Sequence, residues 1–213
     1  MLRHHRTTLA VLAVWMASLV LAQLNPVDPH AKAAYFVTNT TTGAEYVVAM
    51  NFVESTGDIY IHMSVDSSRS WVGVGIGDQM QGSLMIIAYT SENGTGVTAS
   101  PRIATGHSEP ELVGDGSMFE KIWTDEYAPN CNTATPIIMI AHGVCRNCSH
   151  LSTNKLDYTS KAQPFIFAVG PPAHLKDDSL DAPLRRHESF GRFTMDMTQA
   201  TTPRDFSEGA DYG

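Results

Sequence analysis

Basic side chains are scarce in this 213-residue chain: 14 Lys and Arg against 22 Asp and Glu leave a formal charge of −8. No basic run is present that would neutralise a phosphate backbone, which argues against nucleic acid and anionic membranes as partners. Long hydrophobic runs are equally scarce. One spans Leu9 to Ala22, behind Arg3 and Arg6 and ahead of polar sequence from Gln23. It falls short of the roughly 20 apolar residues that cross a bilayer, and Val20-Leu21-Ala22 fits a signal-peptidase site. A signal peptide over residues 1–22 and a mature, secreted chain from Gln23 are therefore expected, with no membrane anchor. Hydrolase and nucleotide signatures are missing too: there is no Gly-x-Ser-x-Gly, no His-Glu-x-x-His and no Gly-x-x-x-x-Gly-Lys. Helical periodicity is weak throughout.

What is present is alternation. Ile59, Ile61, Met63 and Val65 interleave with Tyr60, His62 and Ser64, the period of two of a half-buried strand. Short β-rich runs recur at 45–53, 71–76, 84–89, 136–141 and 164–169, separated by turn clusters such as Ser55-Thr56-Gly57-Asp58 and Gly114-Asp115-Gly116. Many short strands at this spacing predict an all-β, antiparallel sandwich. The expected organisation is an extended N-terminal arm over 23–33, one domain over 34–198 and a flexible tail over 199–213. The sequons at Asn39, Asn93 and Asn147 agree with secretion, the first two being the expected glycosylation sites.

The cysteines read Cys145-Arg146-Asn147-Cys148-Ser149-His150. Covalent c-type haem attachment needs His directly after the second cysteine, and Ser149 breaks that pattern. In an oxidising compartment Cys145 and Cys148 are most simply a disulfide, although Cys131 leaves a Cys131–Cys145 pairing open.

The most informative stretch runs from Trp71 to Tyr89, WVGVGIGDQMQGSLMIIAY. Gly73, Gly75 and Gly77 are expected on one strand face, where missing side chains leave room for a flat ligand or another backbone. Met80 then falls in a turn between two strands, where packing alone does not account for a methionine. With Ala104-Thr105-Gly106-His107-Ser108-Glu109-Pro110 and the stretch from His187 to Asp196, this pattern resembles the cytochrome domain of fungal cellobiose dehydrogenases, within the DOMON-type haem and sugar-binding sandwiches.

That resemblance implies an immunoglobulin-like β-sandwich holding a non-covalent haem b at one end. It implies Met80 and His187 as axial iron ligands, Trp71 and Gly75 in the haem pocket, and His107 where relatives carry an aromatic that reaches the haem edge or a propionate. Arg185-Arg186 ahead of His187 departs from the family pattern and places charge near propionates or a partner. Thioether with imidazole raises the potential relative to two imidazoles and closes both axial positions, which suits electron transfer. The implied function is a secreted, monomeric b-type cytochrome with possible ferric reductase-type activity. It would take electrons from an extracellular flavin or quinone dehydrogenase and pass them to a copper polysaccharide oxygenase, ferric iron or a quinone; no sugar-oxidising dehydrogenase half is readable in the chain. The competing reading is a haem-free DOMON-type module that binds a sugar or similar ligand in the same pocket. A copper oxygenase of the polysaccharide-cleaving kind is disfavoured, because Gln23 stands where such an enzyme needs its N-terminal His.

Overall fold

The computed structural model describes residues 33–93, 96–127 and 138–200, with backbone alone over 122–127. The expected signal peptide, almost all of the arm, the tail beyond residue 200 and Cys131 lie outside the described residues. Eleven strands follow in chain order: β1 (Ala34–Asn39), β2 (Glu45–Val53), β3 (Asp58–Asp66), β4 (Val72–Ile76), β5 (Leu84–Thr90), β6 (Val97–Ile103), β7 (Glu111–Leu112), β8 (Phe119–Tyr127), β9 (Ile138–Cys145), β10 (Gln163–Val169) and β11 (Ser189–Met195). They form a five-stranded sheet, β1-β2-β3-β9-β8, and a six-stranded sheet, β11-β10-β4-β5-β6-β7, with antiparallel pairing throughout.

The core lies between the sheets and follows directly from the alternation. Ile59, Ile61, Met63 and Val65 of β3 face Val72, Val74 and Ile76 of β4 and Leu84, Ile86 and Ala88 of β5 within one buried cluster. Phe36, Tyr46, Phe167 and Phe193 pack ring against ring, with Phe36 stacked on Phe193 and Tyr46 on Phe167. Cys145, the last residue of β9, is disulfide-bonded to Cys148 in the following 3-10 turn, which decides the pairing left open by the sequence. Asn39 and Asn93 are both exposed, as glycan acceptors must be.

The six-stranded sheet also buries its outer face. Trp71, Met85, Ile87 and Tyr89 form a second cluster there with Ala104 and Ala182. The segment 170–188, which carries no regular structure beyond single bridges, folds over part of this face. This is why β5 reads Leu-Met-Ile-Ile-Ala-Tyr without polar interruption: a strand covered on both sides has no solvent face to mark.

The outer face of the other sheet buries a pair of histidines. His62 of β3 and His142 of β9 are direct cross-strand partners, with ring centroids 5.7 Å apart. Burial, reinforced by the His142 charge, pushes His62 down to about 4, and burial also lowers His142. The folded pair therefore binds fewer protons than the unfolded chain, whose histidines titrate near 6.5. Its contribution is intact above that pH and is lost as the pH falls from about 6.5 towards about 4, by an amount on the order of 3 kcal/mol for His62. Urea unfolding at pH 7, 5.5 and 4 should show this loss, and His62→Leu should flatten it. An equal slope in the variant would place the acid sensitivity elsewhere.

Candidate functional site

Two glycines shape the floor of the site. Gly73 and Gly75 of β4 pair with Ile87 and Met85 of β5 on one side and with Ala168 and Ile166 of β10 on the other. A Cβ at Gly75 would lie 2.5 Å from the Ser83 hydroxyl and 2.9 Å from the Ile166 side chain. Its neighbours thus close over the bare backbone and leave a low surface. Gly77 departs from the expected strand face: it follows the end of β4 at φ +101°. That left-handed conformation starts the turn and favours glycine there.

Above this floor opens a cleft of about 870 Å³, at the upper end of the roughly 300–1,000 Å³ typical of cofactor sites. Trp71, Gly75, Met80, His107 and His187 all line it. Met80 comes from the β4–β5 turn and is half-buried, while His107 is exposed on the loop between β6 and β7. Met85 also lines the cleft, but it is nearly buried and packs against the Gly75 backbone. That leaves Met80 as the thioether with freedom to reach a ligand.

His187 arrives on the segment before β11 and is held from both sides. The Trp71 indole donates to the Arg185 carbonyl at 2.9 Å, so Trp71 anchors this segment as well as lining the cleft. On the other side the Glu188 amide donates to the Val169 carbonyl, and the buried Arg69 donates to the Glu188 carboxylate at 2.9 Å. The His187 ring packs at a tilt against the exposed Phe190, with centroids 4.5 Å apart, and its Nδ1 is buried without a hydrogen-bond partner. Burial, aided by the Arg186 charge, lowers its pKa, which favours the neutral imidazole whose lone pair a metal can take.

Charge at the cleft follows from who is already paired. Glu109 lines it but is engaged by Arg102 and by the Leu184 amide. Arg185, Arg186 and Arg192 make no ion pair among the described residues, and Asp78 is the acidic lining residue left without one. The cleft of an acidic chain is therefore locally cationic, suited to a ligand carrying carboxylates.

Comparison with known proteins fits this geometry. The family model described as the cytochrome domain of cellobiose dehydrogenase matches residues 27–208. The chain belongs to that family. Among solved structures, the cytochrome domain of Myriococcum thermophilum cellobiose dehydrogenase aligns with a TM-score of 0.59 at 16% identity, covering 80% of this chain and 86% of that one. The cytochrome b domain of pyranose dehydrogenase from Coprinopsis cinerea aligns at 0.58 and 18% identity, covering 76% and 80%. At such identities these likenesses establish the shared all-β fold alone. No curated protein matches the chain.

Domains of this family are haem b cytochromes that receive electrons from a dehydrogenase domain. The residues of this cytochrome domain fit that group on their own terms: a low glycine floor for a planar ring, an imidazole with an orphaned Nδ1, a half-buried thioether and guanidinium groups that make no ion pair among the described residues. Sequence reasoning did not find Arg192, Phe190, Arg69 or Glu188. Arg192 and Phe190 lie inside the stretch from His187 to Asp196 and were within reach, whereas Arg69 carries no sequence signal of its partner more than 100 positions away.

Proposed function

We propose that this chain is a secreted b-type cytochrome in which Met80 and His187 bind the iron of a non-covalent haem b. It passes single electrons from an extracellular flavin or quinone dehydrogenase to a copper polysaccharide oxygenase, ferric iron or a quinone. The observation that carries this reading is the convergence in one cleft of a thioether from the β4–β5 turn and an imidazole from the segment before β11, over a glycine floor. When bound, the haem supplies the one-electron couple.

The protein's own residues do the rest. Trp71 and the Arg69–Glu188 pair fix the backbone on either side of His187. Arg185, Arg186 and Arg192 offer charge to propionates, and His107 offers a further hydrogen bond at the rim. Phe190, exposed and in contact with His187, lies on the route by which an electron would leave towards a docked partner.

The test is to mix the oxidised protein with its sugar-oxidising candidates, a secreted flavin dehydrogenase and its sugar, and to follow the haem bands. Reduction should require the dehydrogenase, and a copper polysaccharide oxygenase or ferric iron should then reoxidise the protein. A haem that no dehydrogenase reduces would remove the proposed role. Removing the Trp71 anchor should also show in the haem site: Trp71→Phe is expected to weaken haem retention about tenfold or more. Unchanged haem loss to apomyoglobin would show that the indole hydrogen bond does not matter.

A further inference from the structure

The turn that carries Met80 is held almost entirely from outside itself. From Ile76 to Gly82, every backbone carbonyl but that of Gly77 accepts a hydrogen bond. The Ser83 amide takes the Met80 carbonyl at 3.1 Å, and the Arg192 side chain takes that of Asp78. Three of the remaining carbonyls converge on one group: the Asn154 side-chain amide lies 3.0 Å from the Ile76 oxygen, 3.4 Å from that of Gln79 and 3.3 Å from that of Gln81. Asn154 thus bridges both flanks of Met80.

The surroundings are built around this contact. A Cβ at Gly77 would lie 2.6 Å from the Asn154 amide nitrogen, so the glycine admits the side chain as well as the turn. Next to it the Thr153 amide and the Ser152 hydroxyl donate to the Gly82 carbonyl. Residues 152–154 are themselves fixed through the 3-10 turn at Cys148–His150 and the disulfide to the end of β9, in the opposite sheet. The Met80 turn is therefore tied to a rigid frame outside its own sheet.

Resting on the reading of Met80 as an axial ligand, we propose that Asn154 is a positioning residue that fixes the Met80 turn and thereby keeps the thioether at the haem iron. Methionine has three rotatable bonds and is a weak, soft donor, so its hold on a metal depends on where the backbone puts it. Asn supplies two N–H donors to a cluster of acceptors, and no other side chain of its size supplies both.

Asn154→Asp keeps the shape and replaces the donors by acceptors facing the three carbonyls. In the ferrous protein it should raise the rate of carbon monoxide binding about tenfold or more, with the circular dichroism spectrum unchanged. It should also weaken the near-infrared sulfur-to-iron band of the ferric form. In haem-free protein the Ser83 amide should exchange faster, a readout independent of the haem. Asn154→Ser, which removes the amide without adding charge, makes the same comparison if the aspartate does not fold. Met80→Leu, measured in parallel, separates the two levels. If Met80→Leu opens the iron to carbon monoxide while both Asn154 variants bind it at the wild-type rate, the positioning role is overturned and the ligand assignment stands. If Met80→Leu leaves the spectrum unchanged, the ligand assignment fails and this role with it.

Discussion

Met80→His is expected to keep the haem bound and low-spin while lowering its midpoint potential by on the order of 100 mV, within the roughly 0.8 V that axial ligands span. Imidazole donates more strongly to ferric iron than thioether does, so exchanging the ligand stabilises the oxidised form. The comparison has an internal control in the cleft itself. Met85 also lines it, but its side chain is pinned over the Gly75 backbone, and Met139 lies in the core with its sulfur accepting from the Thr90 hydroxyl. Leucine at either position should leave the potential and the spectrum nearly unchanged. A potentiometric titration of the three variants decides between the sulfurs. A Met85→Leu protein that loses the low-spin spectrum, beside an unaltered Met80→Leu, would transfer the assignment to Met85.

Arg102→Met should cost about 3 kcal/mol of stability, with loss of haem affinity following from it. Arg102 of β6 is almost fully buried, and its guanidinium donates to the Leu180 carbonyl at 3.0 Å and the Ala182 carbonyl at 2.8 Å. It also meets the Glu109 carboxylate, which in turn accepts from the Leu184 amide. One side chain therefore ties both the His107 loop and the segment leading to His187 onto the outer face of the sheet. Methionine fills much of the space but leaves the buried Ala182 carbonyl without a donor and the Glu109 carboxylate without its cation, while the Leu180 carbonyl keeps the Ser100 hydroxyl; each such loss costs about 1–3 kcal/mol. Urea unfolding of the haem-free protein measures the first effect and haem titration the second. A variant with wild-type stability would show that the segment is held by its apolar contacts alone.

These two sites also mark how far the sequence could be read. Where alternation was undisturbed, as in β2 and β3, the strands follow from the residue pattern, and β5 was equally plain as an apolar run. β6 was missed because Val97-Thr98-Ala99-Ser100-Pro101-Arg102-Ile103 carries a proline and an arginine that argue against a buried strand. Pro101 is tolerated because its carbonyl serves as acceptor for Val113 while its missing N–H is not needed. Arg102 is buried only because carbonyls from residues about 80 positions away surround it. β9 was expected to end at 141 and continues to Cys145, since pairing with β3 and β8 carries it past Gly143 to the disulfide; the first two residues of the expected run, 136 and 137, lie outside the described residues.

The site divides in the same way. Met80, His187, His107, Trp71 and Gly75 were singled out by motif, and the fold gathers all five around one cleft. The supporting residues were invisible. Asn154 lies in a polar loop of ordinary composition, and nothing in its neighbourhood announces that its amide closes on a turn more than 70 residues earlier. Gly77 shows the converse: it was assigned to the ligand-facing strand surface, yet its positive φ and the approach of Asn154 account for it.

The central claim is a six-coordinate, non-covalent haem b, and the most direct measurement is the visible spectrum of the purified protein in both redox states, followed by acid-acetone extraction. A red protein is expected, whose reduced form shows sharp α and β bands that change only slowly under carbon monoxide, and whose haem passes entirely into the organic phase. A colourless protein, a reduced form that binds carbon monoxide at once, or haem that stays with the polypeptide would contradict it.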